Sequence, residues 1–270
     1  SEIEQERHCR FTSYYYGEGR AQSEGFRALV ADVSARRLAG LIFINPPNDL
    51  EGTPVLSQPD LPLVLNSGPD MDGRLHSIYF PHDKFMERAV DHLVGLGRHR
   101  IAVIGAFLGH PKIDEDVAYL AKRKVGRPDL VQSCSLRSGS AHQIALLLCR
   151  LSKKDRPDGL IISDDNLVEE ATAGLAKSGL RIPQDIHVVA HCNFPARAPS
   201  CVPVTRLGLD CRDLLLRDLE CMDAQRQGRR TALLAEMPVV FESELARGNL
   251  GRADRPMADA VRMRRPAARA

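Results

Sequence analysis

Apolar positions along the chain fall into two rhythms that take turns. Short unbroken apolar runs predict strands at Cys9–Tyr15, Gly40–Asn45, Leu61–Asn66, His76–Phe80, Arg100–Gly105, Asp129–Ser133, Gly159–Ser163 and His187–Cys192. Between them, apolar residues recur at three- and four-residue spacing. That spacing predicts helices over Arg20–Arg37, Asp83–Leu96, Asp114–Lys124, Ala141–Leu151, Asn166–Ser178 and Asp210–Gln227. Strands apolar on both faces, alternating with amphipathic helices, define the α/β class with parallel sheets.

The stretch Gly159–Asn193 carries this signal most fully. It runs from an apolar strand through a polar switch to an amphipathic helix, a Gly179 stop, a turn at Pro183 and a second apolar strand. In open α/β sheets ligands gather at the carboxyl ends of the strands. Here those ends are Ser163-Asp164-Asp165 and His191-Cys192-Asn193. Asp165 or Asn166 is placed to cap the intervening helix, and Glu169 and Glu170 suit its positive first turn. Gly97 ends the preceding Asp83–Leu96 helix in the manner of a C-cap. After Asn193 the pattern breaks at Pro195, Pro199 and Pro203, and an extended segment is expected at Pro238–Leu245. Residues 248–270 are rich in Ala, Arg and Pro without an apolar face, which predicts a flexible tail.

Composition narrows the function classes. At 270 residues, 43% hydrophobic and 27% charged, the chain is long enough for a large core or two. A net charge of +2 gives no bulk attraction to nucleic acid or anionic lipid. Trp is absent, so a sugar platform built on indole stacking is excluded. Seven scattered cysteines without a CxxC fit a reducing, cytoplasmic setting better than a disulfide framework. No apolar run approaches the roughly 18 residues of a membrane span. No dinucleotide fingerprint or phosphate loop is present, so no cofactor is expected. His191 and Cys192 are adjacent and point to opposite faces of a strand, which does not make a catalytic pair. His187, His191, Cys192 and Cys201 lack zinc spacing, so no metal site and no catalytic residue is assigned.

Four ordered segments carry a family resemblance. They are AGLIFI (Ala39–Ile44) with LPLVLN (Leu61–Asn66), then HLVGLGRHRIAVIG (His92–Gly105), then Pro157–Asn193. The last runs from PVTRLGLD (Pro203–Asp210) through the following helix to FESELAR (Phe241–Arg247). Together they resemble the effector-binding domain of LacI/GalR-type transcription regulators, which is similar to type I periplasmic binding proteins. The resemblance implies two Rossmann-like lobes with parallel sheets and an effector in the cleft between them. The N-terminal lobe would hold residues 1–98 plus 207–235, and the C-terminal lobe 99–206 plus 236–247. Two family features lack counterparts in these residues. No helix-turn-helix or hinge helix is present, and the first strand of the N-terminal lobe is missing. A gap is then expected between Cys9–Tyr15 and Gly40–Asn45, as in a piece of a longer polypeptide.

Carried over residue by residue, the resemblance implies effector contacts at Asn45, Asn66, His110, Glu115, Asp165, Cys192 and Asn193, with Lys112 near them. Several depart from the family pattern. Glu115 stands where the family often has an Arg, which disfavours an anionic effector and favours a neutral polyol or a cation. Cys192 replaces an acid and is a weak hydrogen-bonding group. Pro81 replaces an Asp before the Asp83–Leu96 helix. The implied function is effector sensing and dimerisation for an upstream DNA-binding domain absent from this chain. The partners would be a small molecule, a second copy and, only through that domain, DNA; these residues alone would bind no operator, and no membrane. The alternative is a solute-binding protein of a transport system. An enzyme on this scaffold is the weakest reading, since no catalytic constellation supports it.

Overall fold

The computed structural model describes residues 2–16, 23–68, 75–106, 112–229 and 231–246. The strands are β1 (Leu41–Phe43), β2 (Leu63–Leu65), β3 (His76–Tyr79), β4 (Ile101–Gly105), β5 (Val131–Ser133), β6 (Gly159–Ile162), β7 (His187–Phe194), β8 (Thr205–Asp210), β9 (Leu234–Glu236) and β10 (Val240–Phe241). The helices are α1 (Glu2–Glu6), α2 (Glu24–Ser34), α3 (Pro54–Ser57), α4 (His82–Gly95), α5 (Lys112–Arg123), α6 (Ser140–Arg150), α7 (Val168–Ala176), α8 (Cys211–Arg226) and α9 (Glu242–Ala246). They form two compact units, neither contiguous in sequence. Among the described residues, one is the chain up to Phe80 with Arg212–Met237, and the other is Pro81–Cys211 with the segment that begins at Pro238.

The first unit has a four-stranded sheet in the order β1-β2-β3-β9, parallel throughout. Leu29 and Val33 of α2 pack with Phe43, Leu50, Val55 and Leu65. Cys221 and Met222 of α8 pack with Val64, Ile78 and Ala235. The segment predicted as a strand at Cys9–Tyr15 is not one; among the described residues the sheet ends at β1, and no gap opens within it. Its aromatic alternation serves a helix instead of a pleat. Tyr14 and Tyr16 pack against the Leu29–Val33 cluster, and the Tyr14 hydroxyl donates to Asp32 Oδ2 at 2.6 Å. Tyr15 is 84% exposed. The segment crosses the first turn of α2 so closely that a Cβ on Gly25 would lie 2.1 Å from the Tyr15 carbonyl oxygen.

The second unit has a six-stranded sheet in the order β10-β8-β7-β6-β4-β5, parallel except for β10. All five residues of β4 and all four of β6 are buried, as expected of strands covered on both faces. Leu160 and Ile162 meet Ala141 and Ala145 of α6 and Ala171 and Leu175 of α7 in the largest core. Helix α4 belongs to this unit, where the sequence reading placed it in the first lobe. Its apolar stripe explains the placement. Phe85 stacks on His191, and a Cβ on Gly159 would touch Leu93 at 3.1 Å. Arg88 bonds the Val239 carbonyl and pairs with Glu244 at 2.6 Å. The α4 helix ends in a closed cap: Gly97 has φ +74°, and the Arg98 N–H donates to the Leu93 carbonyl.

The extended segment expected at Pro238–Leu245 is short. Only Val240–Phe241 pair with β8, and the chain then turns into α9. The Phe241 N–H donates to the Glu244 carboxylate at 2.6 Å, which starts a helical turn where a ladder would otherwise continue. The tail, residues 248–270, lies outside the described residues.

Candidate functional site

The carboxyl ends of β6 and β7 bring together the polar groups of the second unit. After Ile162 the chain leaves the sheet through Ser163 into a 3-10 turn, Asp165–Leu167, that leads into α7. Asp164, rather than Asp165 or Asn166, is the cap: its carboxylate accepts from the Asn166 N–H at 2.9 Å. That frees Asp165 for another partner. Asn193 Nδ2 donates to Asp165 Oδ2 at 2.7 Å, tying the end of β7 to the end of β6.

Strand alternation decides which residues of β7 join this group. His191 and Asn193 are half-buried on one face, while Cys192 and Phe194 are buried on the other. Cys192 packs with Phe194 and Val240, and desolvation pushes its thiol pKa up to about 11. It is therefore a protonated core side chain at neutral pH. His191 meets Phe85 edge-on, with ring centroids 5.5 Å apart. His82, 6.1 Å from the Phe85 ring, opens α4, and its Nε2 lies 3.0 Å from Asp116 Oδ1 and 3.2 Å from Oδ2. Asp116 is only 3% exposed. Pro81, the N-cap of α4, makes no side-chain cap bond.

The other predicted contacts stand on separate elements. Glu115 is exposed in the first turn of α5, and it is its neighbour Asp116 that turns inward. Asn45 is exposed in the bend after β1. Asn66, at the end of β2, spends its amide on Asp218 of α8 at 2.9 Å. His110 lies outside the described residues, and Lys112 begins α5. Sequence reasoning missed His82 and Asp116, and placed His191 at a strand end without assigning it a contact. The signal for Asp116 was present, since it stands four residues before Leu120 on the buried stripe of α5.

A cavity of about 360 Å³ opens beside this network, lined by Asp165, Asn166, Glu169, Ala196, Arg197, Ala198 and Pro199. Arg197 pairs with Glu242 at 2.5 Å, so part of its charge is already answered. The mouth thus offers carboxylates and amides, suited to hydroxyl or ammonium donors.

Burial lowers the pKa of His191; Asp165 and Asp164 oppose the shift, and His82 reinforces it. Burial also lowers those of His92 and His187, whose rings meet at 5.4 Å. A depressed histidine prefers to be neutral in the folded state. Its contribution is intact above the unfolded pKa of about 6.5 and is lost as pH falls below it. His191→Gln should therefore soften the fall in urea midpoint between pH 7.5 and pH 5.5. An unchanged fall in the variant would show that His191 does not carry it.

Two open parallel units of this build, threaded discontinuously by one chain, define a periplasmic-binding-protein-like class of ligand-binding domain. The sequence profile of the periplasmic binding protein-like domain matches residues 90–233. The chain belongs to that family. The lactose operon repressor of Escherichia coli (strain K12) is 25% identical over 198 residues, covering 72% of this chain and 54% of the repressor. The HTH-type transcriptional repressor PurR of Aliivibrio fischeri is 24% identical over 181 residues, covering 62% and 53%. The chain thus spans about half the length of these curated relatives. Among solved structures, a LacI family regulator from Lactobacillus casei with bound glucose superposes with TM-score 0.64 at 18% identity, covering 89% of this chain and 90% of that one. A lac repressor dimer bound to operator and an anti-inducer gives 0.66 at 20% identity, covering 89% and 84%. No helix among the described residues is long and apolar enough to cross a membrane.

Proposed function

We propose that this chain senses a small polar molecule on behalf of a transcription regulator and dimerises with a second copy. Contact with DNA falls to a part of the protein outside these residues. The relatives are repressors, which favours regulation over solute transport and over catalysis. The observation that carries the reading is the tied rim at the ends of β6 and β7, where Asp165 and Asn193 are held together beside an open cavity. With Asp165 and Glu169 lining the cavity and Arg197 paired to Glu242, the effector is a neutral polyol or an amine rather than an anion. It acts on regulation only through its different affinity for two arrangements of the protein.

A thermal-shift screen of sugars, polyols, nucleosides, amines and carboxylates tests this. A ligand at a hundred times its Kd adds about 2.7 kcal/mol to stability, a shift easily read. Hits are expected among polyols or amines. Asp165→Ala should remove the shift, because a hydrogen bond to a charged group contributes roughly 1.5–3 kcal/mol. Hits confined to carboxylates, or hits untouched by Asp165→Ala, would sink the assignment.

A further inference from the structure

The first unit holds a buried carboxyl that effector sensing at the second does not use. Asp218 is 0% exposed, on the α8 stripe that also buries Cys221 and Met222. Asn66 Nδ2 donates to its Oδ2 at 2.9 Å, across 152 residues of sequence. The other two oxygens, Asn66 Oδ1 and Asp218 Oδ1, are both buried and neither has a hydrogen-bond partner. Two unsatisfied acceptors in one bonded pair are costly. A single proton on Asp218 answers both, because the acid then donates to the amide oxygen while the amide donates to the acid.

We propose that Asp218 and Asn66 form a proton-controlled latch between α8 and the end of β2, doubly bonded when Asp218 is protonated and loosened to the single Nδ2 bond, with its charge buried, when it ionises. Burial supports this by raising the Asp218 pKa from 3.8 to about 7, with the Asn66 hydrogen bond pulling weakly the other way. No charged group enters that balance. On α8 itself, the thiol of Cys221 feels the Asp218 charge, and Arg217 is paired with Asp213 at 3.1 Å. On the strands, His76 bonds the Ala232 carbonyl, Glu236 accepts from Tyr79, and the buried Ser77 hydroxyl donates to Gly68. Asn66 also donates its backbone N–H to Phe43 at 2.7 Å, so release of the latch reaches the ends of both β1 and β2.

The sign follows from linkage. An acid whose folded pKa is raised above its unfolded value stabilises the fold below about 4, and that stability is lost as pH rises toward about 7. Carbon-13 NMR of the full chain, with the Asp218 carboxyl assigned through its own backbone, reads the titration directly. The expected midpoint is near 7, with the Asn66 side-chain amide signals moving at the same midpoint. In urea, the unfolding constant of the wild type should rise about tenfold per pH unit between pH 5 and pH 6.5 relative to Asp218→Asn. A midpoint below about 5.5, or Asn66 signals that do not follow it, overturns the latch. So does an identical pH profile in Asp218→Asn. The NMR arm stands on the wild type even where the variant fails to fold.

Discussion

Phe85→Ala is expected to cost about 3–5 kcal/mol, the usual range for emptying an aromatic from a packed core. Phe85 is 0% exposed, and its ring neighbours two histidines of the candidate site. His191 meets it edge-on at 5.5 Å and His82 lies 6.1 Å away, so truncation removes ring contacts as well as buried area. Such an aromatic contact adds roughly 0.5–1.5 kcal/mol beyond area. The loss should show in urea midpoints, and any ligand found by thermal shift should bind more weakly because His191 loses its support. Leu147→Ala is the control: that side chain is 62% exposed and should change stability by no more than about 0.5 kcal/mol. A Phe85→Ala cost no larger than the control's would refute the packing described for α4.

Gly208→Ala is expected to be the most damaging added methyl in the chain. A Cβ there would lie 1.9 Å from the Cys192 carbonyl oxygen and within 2.9 Å of the Cys192 nitrogen. Cys192 is its ladder partner on β7, and Val240 of β10 faces it from the other side. Backbone on an interior strand cannot yield without losing ladder bonds. Overpacking typically costs 1–3 kcal/mol, and this site should reach about 3 or more. Gly40→Ala provides the comparison. Its nearest clash, 2.7 Å, is with Met222 Sδ, on a flexible side chain that can turn aside. Melting temperatures should separate the two, at roughly 2–8 °C per kcal/mol for units of this size. Equal melting losses would mean that β8 is not held against β7 as described.

The parallel strands were legible because β4, β6 and β7 are unbroken apolar runs with glycine and proline punctuation around them. The strand at Cys9–Tyr15 was misread because alternating tyrosines suit a pleat and the flank of a helix equally well. Only the bond from Tyr14 to Asp32 and the open backbone of Gly25 separate the two cases. In the candidate site, Asp165 and Asn193 were readable from their place at strand ends. Asp116 and Asp218 were not recognised, although both stand on apolar helical stripes, near Leu120 and Met222. A carboxylate on such a stripe reads as a break in the pattern until a partner is known. Those partners, His82 and Asn66, are 34 and 152 residues away.

The discontinuity of the two units also sets an order of events during synthesis. The block from β4 to β8 emerges as one stretch and can assemble the centre of the second sheet at once. The first sheet must wait, because β3 pairs with β9, and His76 and Ala232 are 156 residues apart. At ribosomal speeds that wait is about 8–30 s. Throughout it the inner face of β3 and the N-terminal helices stand without α8 and β9. Of the two sheets, the one whose strands begin earlier is therefore the later to close, and its exposure to chaperones and proteases lasts until β9 has emerged.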